Sequence, residues 1–251
     1  MLIKLMMIGC GGTGGCFFSK FIRFMADFSE SDIRIEFAIV DGDHVEKKNI
    51  GRQPFIPDDI GKNKAVALAT AADEALHVNI RSYPFYLSSS NEYRTLSWVD
   101  DSEADVGILI GAVDNHACRK IMHRYFNRSD SYSESFFYID SANEFSSVEV
   151  VFGKRIHNTI IAPDRCHYYP DILDDAEKPV YEKSCEELNQ STPQHLATNS
   201  MASDIIFSYV TQLITAGEMA SRAPGGICYF DSMKMFCRFD PYMEARHGKI
   251  E

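Results

Sequence analysis

The sequence predicts an α/β fold, a Rossmann-like, doubly wound and mostly parallel sheet with an antiparallel C-terminal extension. Three observations predict it. Short apolar segments alternate with segments of helical periodicity through the first half of the chain, which is typical of βαβ units. Four glycines come directly after the first apolar segment, and phosphate-binding folds place a tight turn at this position. After residue 135, apolar segments follow one another without a helix between them.

Composition narrows the class of protein. The chain has 251 residues, a net charge of −11 and 45% hydrophobic residues, which is typical of a soluble globular protein. The acidic balance disfavours a reader of nucleic acid, which would need a basic face. No apolar run reaches about 18 residues without charges, so we expect no transmembrane helix. Seven scattered cysteines without a C-x-x-C pair favour free thiols in a reducing compartment, and we expect a cytoplasmic protein.

The first predicted element is a strand over Leu2–Ile8, and the next is a helix over Thr13–Phe28. The turn between them holds the glycines of the pattern, Gly9, Gly11, Gly12 and Gly14. Glycine permits a positive φ and lets a phosphate approach the backbone without a Cβ in the way. The N–H groups at the start of the helix then attract a polyphosphate. The alternative is a tight turn that binds no ligand.

A second strand is predicted over Ile33–Val40, and two acidic residues, Asp41 and Asp43, follow it. In an open parallel sheet, ligands bind beyond the carboxyl ends of the strands, where an acidic residue after the second strand contacts the ribose hydroxyls. We therefore expect Asp41 to bind ribose, unless it only begins a turn before Gly42. At this point NAD and ATP fit equally well.

The next stretch, residues 44–60, is predicted to be irregular because Pro54 and Pro57 interrupt helices. Alternating elements then follow: a helix over Gly61–Leu76, a strand over Val78–Tyr83, a helix over Ser89–Val99, a strand over Asp105–Ile110 and a helix over Ala117–Phe126. Asp114 and Asn115 come soon after the fourth strand. These two residues, the acidic pair after the second strand and the glycine turn therefore converge on one edge of the sheet.

The second half of the chain departs from this alternation. Its predicted elements are two adjacent strands, a long polar loop, a helix that begins with an N-cap and a proline, and a hairpin at the sheet edge. In order, they cover Phe136–Asp140 and Ser147–Phe152, then residues 162–192, then Thr192–Ala216, and finally Cys228–Asp231 with Lys234–Phe239.

Asn49, Arg52 and Lys64 are further polar residues next to the same edge. The glycine turn is sufficient to bind the two phosphates of a dinucleotide. Added cations suit a triphosphate, whose charge shifts in a transition state. Asp114 is then available to hold Mg²⁺ against the phosphates. These residues favour ATP over NAD, unless Arg52 and Lys64 are ordinary solvated surface charges.

Several segments together resemble the ThiF/MoeB/E1-like family of adenylating enzymes. They are GCGGTG (9–14), DGDHVEKKNIGRQ (41–53), GKNK (61–64) and DNHACR (114–119). The segment SANEFSSVEVVFG (141–153) also resembles the strand that follows the family's metal aspartate. The pattern D-x-D-x-V-x-x-x-N-x-x-R-Q after the second strand is much more specific than the glycines alone. The resemblance covers residues 9 to about 153 in the family's order.

The resemblance implies ATP-dependent adenylation of the C-terminal carboxylate of a ubiquitin-like or sulfur-carrier protein with a Gly-Gly type of tail, with release of pyrophosphate. It implies one adenylation domain over residues 1–251, divided into a nucleotide-binding βα part (1–134) and a C-terminal part (135–251). The implied roles are ribose binding by Asp41, phosphate and pyrophosphate contacts by Asn49, Arg52 and Lys64, a pocket shaped by Gln53, and Mg²⁺ binding by Asp114. Asp43, Asn115 and the four glycines complete the predicted nucleotide site.

Further expectations about partners and cofactors follow from the same resemblance. Family members form two-fold dimers, and the apolar richness of the first helix and of helix 194–216 agrees with a homodimer. Zinc-binding members carry two C-x-x-C pairs, whereas here only Cys166 lies near the first, so we expect no zinc. Cys185 lies in the loop where some members carry a cysteine that receives the activated acyl group. It is either such an acceptor or a free loop thiol.

Two rival functions stay open. An NAD-dependent oxidoreductase fits the glycine turn but leaves Arg52 and Lys64 unexplained, and the sequence offers no evident hydride-transfer pair. A non-catalytic relative would keep the fold and bind a partner. The joint presence of Arg52, Lys64 and Asp114 argues against this second alternative.

Overall fold

The structure is a computed structural model that describes residues 1–29, 32–130, 132–176 and 196–243. Its strands are β1 Leu2–Ile8, β2 Arg34–Val40, β3 Arg81–Tyr83, β4 Val106–Gly111, β5 Ser135–Asn143, β6 Ser147–Ile156, β7 Thr159–Ala162, β8 Gly226–Asp231 and β9 Phe236–Pro241. Its α-helices are α1 Gly12–Asp27, α2 Lys64–Leu76, α3 Glu92–Leu96, α4 His116–Phe126, α5 Arg165–Tyr168, α6 Asp171–Asp174 and α7 Leu196–Thr215. Short 3₁₀ turns cover Lys47–Asn49, Pro57–Asp59 and Gly217–Arg222.

The described strands form one nine-stranded sheet in the order β3-β2-β1-β4-β5-β6-β8-β9, with β7 paired to β6. The pairs from β3 to β5 are parallel, and those from β5 to β9 are antiparallel. The parallel part, β3-β2-β1-β4-β5, has the order of the first five strands of a Rossmann sheet. The predicted fold class is therefore confirmed, including the C-terminal hairpin, which pairs with β6.

Helices cover both faces of the sheet because the central strands are apolar on both sides. In β1, Leu5 and Met7 face α1, α2 and α7, whereas Met6 and Ile8 face α3 and α4. These four side chains are fully or almost fully buried, and burial of each contributes about 1.5–3 kcal/mol. This two-sided core fixes the sheet edge where β1, β2, β4 and β5 end.

Helix α1 places much of its apolar surface inside the chain itself. Phe17, Phe18 and Phe21 are buried, and their rings lie 5.2–6.3 Å from that of Phe37 on β2. The aromatic richness of this helix is thus largely core packing, and the dimer expected from it stays a prediction.

Several elements differ from the sequence-based expectation: β7 was not predicted, and α2, β5 and β9 have other bounds. β3 begins at Arg81 rather than Val78, since only its last three residues pair with β2. α3 covers Glu92–Leu96 instead of Ser89–Val99, because Asn91 accepts a hydrogen bond from the Ser88 N–H and closes a turn there. The expected loop over residues 162–192 begins with α5 and α6, because Asp164 caps α5 by accepting from the Cys166 N–H.

The remaining part of that predicted loop, with Cys185, and the predicted helix start at Thr192 and Pro193 lie outside the described residues. The single-domain organisation stays a prediction. Among the described residues, no helix is both long and apolar enough to cross a membrane.

Candidate functional site

The glycine turn after β1 is held between the two neighbouring strands. The Gly9 N–H donates to the Val40 carbonyl at the end of β2, and the Ala112 N–H donates to the Ile8 carbonyl, both at 2.9 Å. Gly9 has a φ of +95°, and a Cβ there would lie 2.4 Å from the Ala112 carbonyl oxygen. Only glycine therefore fits at this position.

Beyond Gly9, the turn opens toward the start of α1. A Cβ on Gly14 would lie 2.0 Å from the Gly9 carbonyl oxygen, so the helix packs tightly on the turn. A Cβ on Gly11, by contrast, would have no neighbour within 4 Å. The first turn of α1 has no side-chain cap and no acidic residue. Its N–H groups and positive helix end therefore form a cradle for an anion.

Asp41 and Asp43 occupy the end of β2 beside this cradle. The Asp41 carboxylate accepts from the Cys10 N–H at 2.6 Å and from the Asp43 N–H at 2.8 Å. Burial raises the pKa of Asp41, which the nearby Lys64 ammonium offsets only in part. Each Asp41 oxygen keeps a second lone pair, so the group can accept from a ribose hydroxyl.

Lys64 is the buried cation of the site. Its side chain is 8% exposed, and its Nζ lies 2.8 Å from Asp43 Oδ2. Burial alone would lower the pKa of Lys64, but the charges of Asp41 and Asp43 outweigh burial and raise it. Burial likewise acts to raise the pKa of Asp43, yet the charge and hydrogen bonds of Lys64 and Tyr86 lower it overall. The pair is therefore ionised.

Asn63 positions this ion pair. Its Nδ2 donates to the carbonyls of Asp41 and Asp43 at 2.8 and 3.0 Å, and its Oδ1 caps α2 by accepting from the Val66 N–H. One side chain thus joins the end of β2 to the start of α2, where Lys64 is the first residue. In the sequence, Asn63 could have been recognised as the N-cap of α2 from its position in the GKNK segment.

An apolar slot lies on the α3 and α4 side of Asp41. Its walls include the side chains of Val40, Leu87, Val113 and Ile121, and Asp41 lies at its rim. The Tyr86 ring covers Gly42 so closely that a Cβ there would lie 2.4 Å from it, and the Tyr86 hydroxyl donates to Asp43 Oδ1 at 2.5 Å. A flat apolar ring fits such a slot. Sequence reasoning missed Tyr86, which lies in a loop without a local pattern.

Asp114 and Asn115 lie between β4 and α4. Asp114 is exposed, and Asn115 is buried and caps α4 by accepting from the Cys118 N–H at 2.8 Å. Burial raises the pKa of the Cys118 thiol to about 12, and the charges of Asp114 and Asp41 add to this. Both carboxylates are thus close to the first turn of α4.

Arg119 holds the loop that carries Asp114. It donates to the carbonyls of Val113 and Ser141 at 2.7 and 3.0 Å, and its Nε donates to the buried Asp140 carboxylate at 3.2 Å. This buried arginine therefore ties the ends of β4 and β5 together. It belongs to the DNHACR segment, in which the resemblance implies no role for this arginine.

The segment with Asn49, Arg52 and Gln53 lies beside the first turns of α1. A Cβ on Gly15 of α1 would lie 2.6 Å from Cδ of Pro54, which shows how closely this segment packs on the helix. Asn49 is buried, and its Oδ1 accepts from the Glu46 N–H at 2.7 Å. Arg52 is exposed. Gln53 Oε1 is buried without a hydrogen-bond partner among the described residues, as expected of a group that awaits a donor.

Cys10 and Cys166 behave as packing residues, and both are buried. Burial raises the pKa of Cys10 far above its usual range and raises that of Cys166 to about 12. Neither thiol is therefore an activated nucleophile. His123, Asp164 and Cys166 are the one group of potential metal ligands found together in the described part of the chain. Asp164 there caps α5 and accepts from Asn127, and the absence of zinc stays a prediction.

The described residues fit a nucleoside triphosphate with a hard divalent cation. They supply an apolar slot for a base, a carboxylate for ribose, a cradle with room at Gly11 for phosphates, a buried cation at Lys64 and the exposed oxygens of Asp114. Carboxylate oxygens are the ligands that Mg²⁺ prefers in proteins.

Comparisons with known proteins identify a matching family model and similar folds. The model of the ThiF family matches residues 3–151. A crystal structure of PaaA superimposes with a TM-score of 0.63 at 18% identity, covering 96% of this chain and 64% of that one. E. coli MccB with ATP gives 0.61 at 17% identity, covering 99% and 66%.

A further structure, MccB in complex with N-formylated MccA, gives a TM-score of 0.61 at 16% identity, covering 99% of this chain and 67% of that one. At such identities these structures show the fold. The chain spans just under two thirds of the length of the PaaA chain and of the ATP-bound MccB chain. No curated protein matches it by sequence.

Proposed function

The chain belongs to the ThiF family, and on that premise we propose that it adenylates the C-terminal carboxylate of a protein or peptide with Mg-ATP. One observation carries the proposal. A buried, ionised Lys64 lies beside Asp41 and Asp43 at the edge where the glycine turn opens. A nucleotide with a mobile phosphate charge needs such a cation, whereas a dinucleotide that only exchanges a hydride does not.

Different residues bind the base, the ribose and the phosphates of the nucleotide. The apolar slot at Val40 and Leu87 receives adenine, and Asp41 accepts from the ribose hydroxyls. The glycine turn and the N-terminus of α1 hold the phosphates. Asp114 holds Mg²⁺, which neutralises phosphate charge when it is bound.

The reaction needs alignment and charge screening more than proton transfer. One oxygen of the substrate carboxylate attacks the α-phosphorus, the bond from that phosphorus to the bridging oxygen breaks, and its electron pair leaves with pyrophosphate. Lys64, Arg52 and Asn49 stabilise the leaving pyrophosphate. The attacking carboxylate is already ionised near neutral pH, so no general base is required.

The acyl substrate is a ubiquitin-like or sulfur-carrier protein with a Gly-Gly type of tail, or a short peptide. The first class follows from the sequence resemblance. The second is supported by the structure of MccB with the peptide MccA. A homodimer is part of the proposal, and light scattering at micromolar concentration tests it, with a monomer as the contrary result.

Cys185 enters the proposal as a conditional step. If it receives the acyl group, its sulfur attacks the carbonyl carbon of the adenylate and AMP leaves. A non-reducing gel after reaction would then show a thiol-sensitive conjugate that Cys185→Ala abolishes. Full adenylation without such a conjugate would remove this step and leave the adenylation intact.

Two measurements test the function. Calorimetry with Mg-ATP and with NAD should show binding of ATP, and tight NAD binding without an ATP signal would favour the oxidoreductase. Pyrophosphate exchange into ATP should then appear with at least one member of a panel of carrier proteins and peptides with free C-termini. ATP binding with no exchange across that panel would favour the non-catalytic alternative.

A further inference from the structure

A cluster of neutral polar side chains lies at the glycine turn on the side away from Lys64. Thr13 is in the first turn of α1, Asn143 ends β5 and Asn199 is in the first turn of α7. Asn143 Nδ2 donates to Asn199 Oδ1, and the Thr13 hydroxyl lies 3.2 Å from the same oxygen. The nucleotide roles given above use none of these three side chains.

These contacts fix the orientation of the Asn199 amide. Two donors surround its oxygen, so its Nδ2 points the other way, toward the turn. A Cβ on Gly12 would lie 2.2 Å from that nitrogen. The Asn199 side chain is 6% exposed, but its Nδ2 is not among the buried unpaired polar atoms of the described residues, so solvent or a ligand can reach it. A donor that neighbouring side chains hold in one orientation beside the anion cradle is preorganised to bind an oxygen of a ligand.

The sheet order places this donor opposite the cations. β2, with Asp41 and Asp43, lies on one side of β1, and β4 and β5, with Asn143, lie on the other. α2 with Lys64 and α7 with Asn199 likewise both pack on α1. In an in-line displacement, the attacking and leaving oxygens lie on opposite sides of the phosphorus. If pyrophosphate leaves toward Lys64, the carboxylate approaches from the side of Asn199.

We propose that Asn199 Nδ2 binds the acyl substrate, donating to the carboxylate oxygen that does not attack and that becomes the carbonyl oxygen of the acyl-adenylate. Thr13 and Asn143 are positioning residues that hold the amide in this orientation. A neutral donor suits the task, because it orients the carboxylate and leaves its attacking oxygen more nucleophilic than a paired cation would. This inference rests on the proposed function and adds the acyl subsite to it.

The probe is acetylglycyl-sulfamoyl-adenosine, a stable mimic of an acyl-adenylate, compared with sulfamoyl-adenosine, which lacks the acyl group. Wild-type protein should bind the acyl mimic roughly tenfold or more tightly, the scale of a hydrogen bond to a buried polar group. Two variants remove the donor. Asn199→Asp keeps the oxygen that Thr13 and Asn143 contact but adds a negative charge beside the phosphate cradle, so it should lose this preference and also bind ATP less tightly. Asn199→Leu is neutral and similar in size, so it should lose the preference while its Kd for ATP stays within about twofold.

Asn143→Ala should reduce the preference less, since it acts through the orientation of Asn199, and it serves if Asn199→Asp fails to fold. Gln212→Ala, which removes an exposed amide from the same helix, should retain the full preference. A wild-type protein without preference for the acyl mimic, or an Asn199→Asp variant that keeps it, would overturn the subsite and leave adenylation standing. Failure of the wild type to bind ATP and both analogues would instead overturn the proposed function together with its subsite.

Discussion

The two sides of the glycine turn use different chemistry along one sheet edge. On the β2 side, Lys64 and Asp43 form an ion pair next to Asp41, and Lys64 is a buried cation. On the β5 side, Asn143 and Asn199 present neutral amides. Under the proposed function, this difference would place the cation where pyrophosphate leaves and uncharged donors where a carboxylate is oriented and still reacts.

The largest effect is expected at Asp114, between the two sides. Asp114→Ala should abolish Mg-dependent pyrophosphate exchange, because the oxygens that hold Mg²⁺ are lost. The fold should survive, since this carboxylate is exposed. Asp73→Ala, which removes an exposed carboxylate from α2, is the matched control. Wild-type exchange by Asp114→Ala would show that the metal site is elsewhere.

The role of charge on the β2 side, which we call the charged side, can be tested with two lysines close in sequence, Lys64 and Lys62. Lys64→Ala should lower kcat by roughly 10²-fold or more, the scale for losing a preorganised charge at a developing anion, and Arg52→Ala should act similarly. Lys62→Ala removes an exposed lysine whose Nζ lies 3.1 Å from Asp59 and should change kcat little. Exchange kinetics, with urea unfolding as a check on the fold, would contradict the account if the Lys64 and Lys62 variants behaved alike.

Substitutions at two glycines of the turn should affect protein stability and ATP binding separately. Gly9→Ala should destabilise the protein by about 1–3 kcal/mol, because of its positive φ and the nearby Ala112 carbonyl. Gly11→Ala should leave the free energy of unfolding within about 0.5 kcal/mol, since its Cβ has open space. That methyl group would nevertheless obstruct the phosphates and weaken ATP binding. Unchanged ATP affinity in Gly11→Ala would mean that the phosphates lie elsewhere.

The smallest effect concerns pH. The pKa of Asp43 is lowered from its ordinary 3.8 because the charge and hydrogen bonds of Lys64 and Tyr86 outweigh burial. The stability from this shift is therefore present above pH 3.8 and is lost as pH falls through the folded pKa. Lys64→Ala removes the main cause, so the free energy of unfolding should fall less steeply with acid than in wild type or Lys62→Ala. If the free energy of unfolding fell equally steeply with acid in all three proteins, this coupling between Lys64 and Asp43 would be contradicted.

The charged side could be predicted from the sequence because its residues lie within one stretch, Asp41 to Lys64, at the end of a recognisable strand. β1 was predicted with both of its bounds, since a fully buried parallel strand appears as a continuous apolar run. β3 was overestimated because Val78 and Ile80 are buried and apolar but lie outside the ladder with β2. An apolar pattern indicates burial and does not specify hydrogen-bond partners.

The amide side could not be predicted in the same way. Thr13, Asn143 and Asn199 come together only when α7 packs on α1 and β5, so no local spacing marks them. Tyr86 was missed for the same reason, since its contact with Asp43 depends on the course of a loop. The oxygens of Asn49 and Asn115 also have local capping roles that a search for ligand contacts does not reveal.

If a substrate carboxylate attacks the α-phosphorus of ATP, one carboxylate oxygen must be transferred to AMP, and oxygen tracing measures this transfer. A substrate identified by the exchange panel would carry ¹⁸O in its C-terminal carboxylate, and the adenylate would be captured with hydroxylamine, which displaces AMP at the carbonyl carbon. We expect AMP with one ¹⁸O atom, detected by mass spectrometry. Unlabelled AMP, or label in inorganic phosphate, would show that ATP is cleaved by a different route and that the carboxylate does not attack the α-phosphorus.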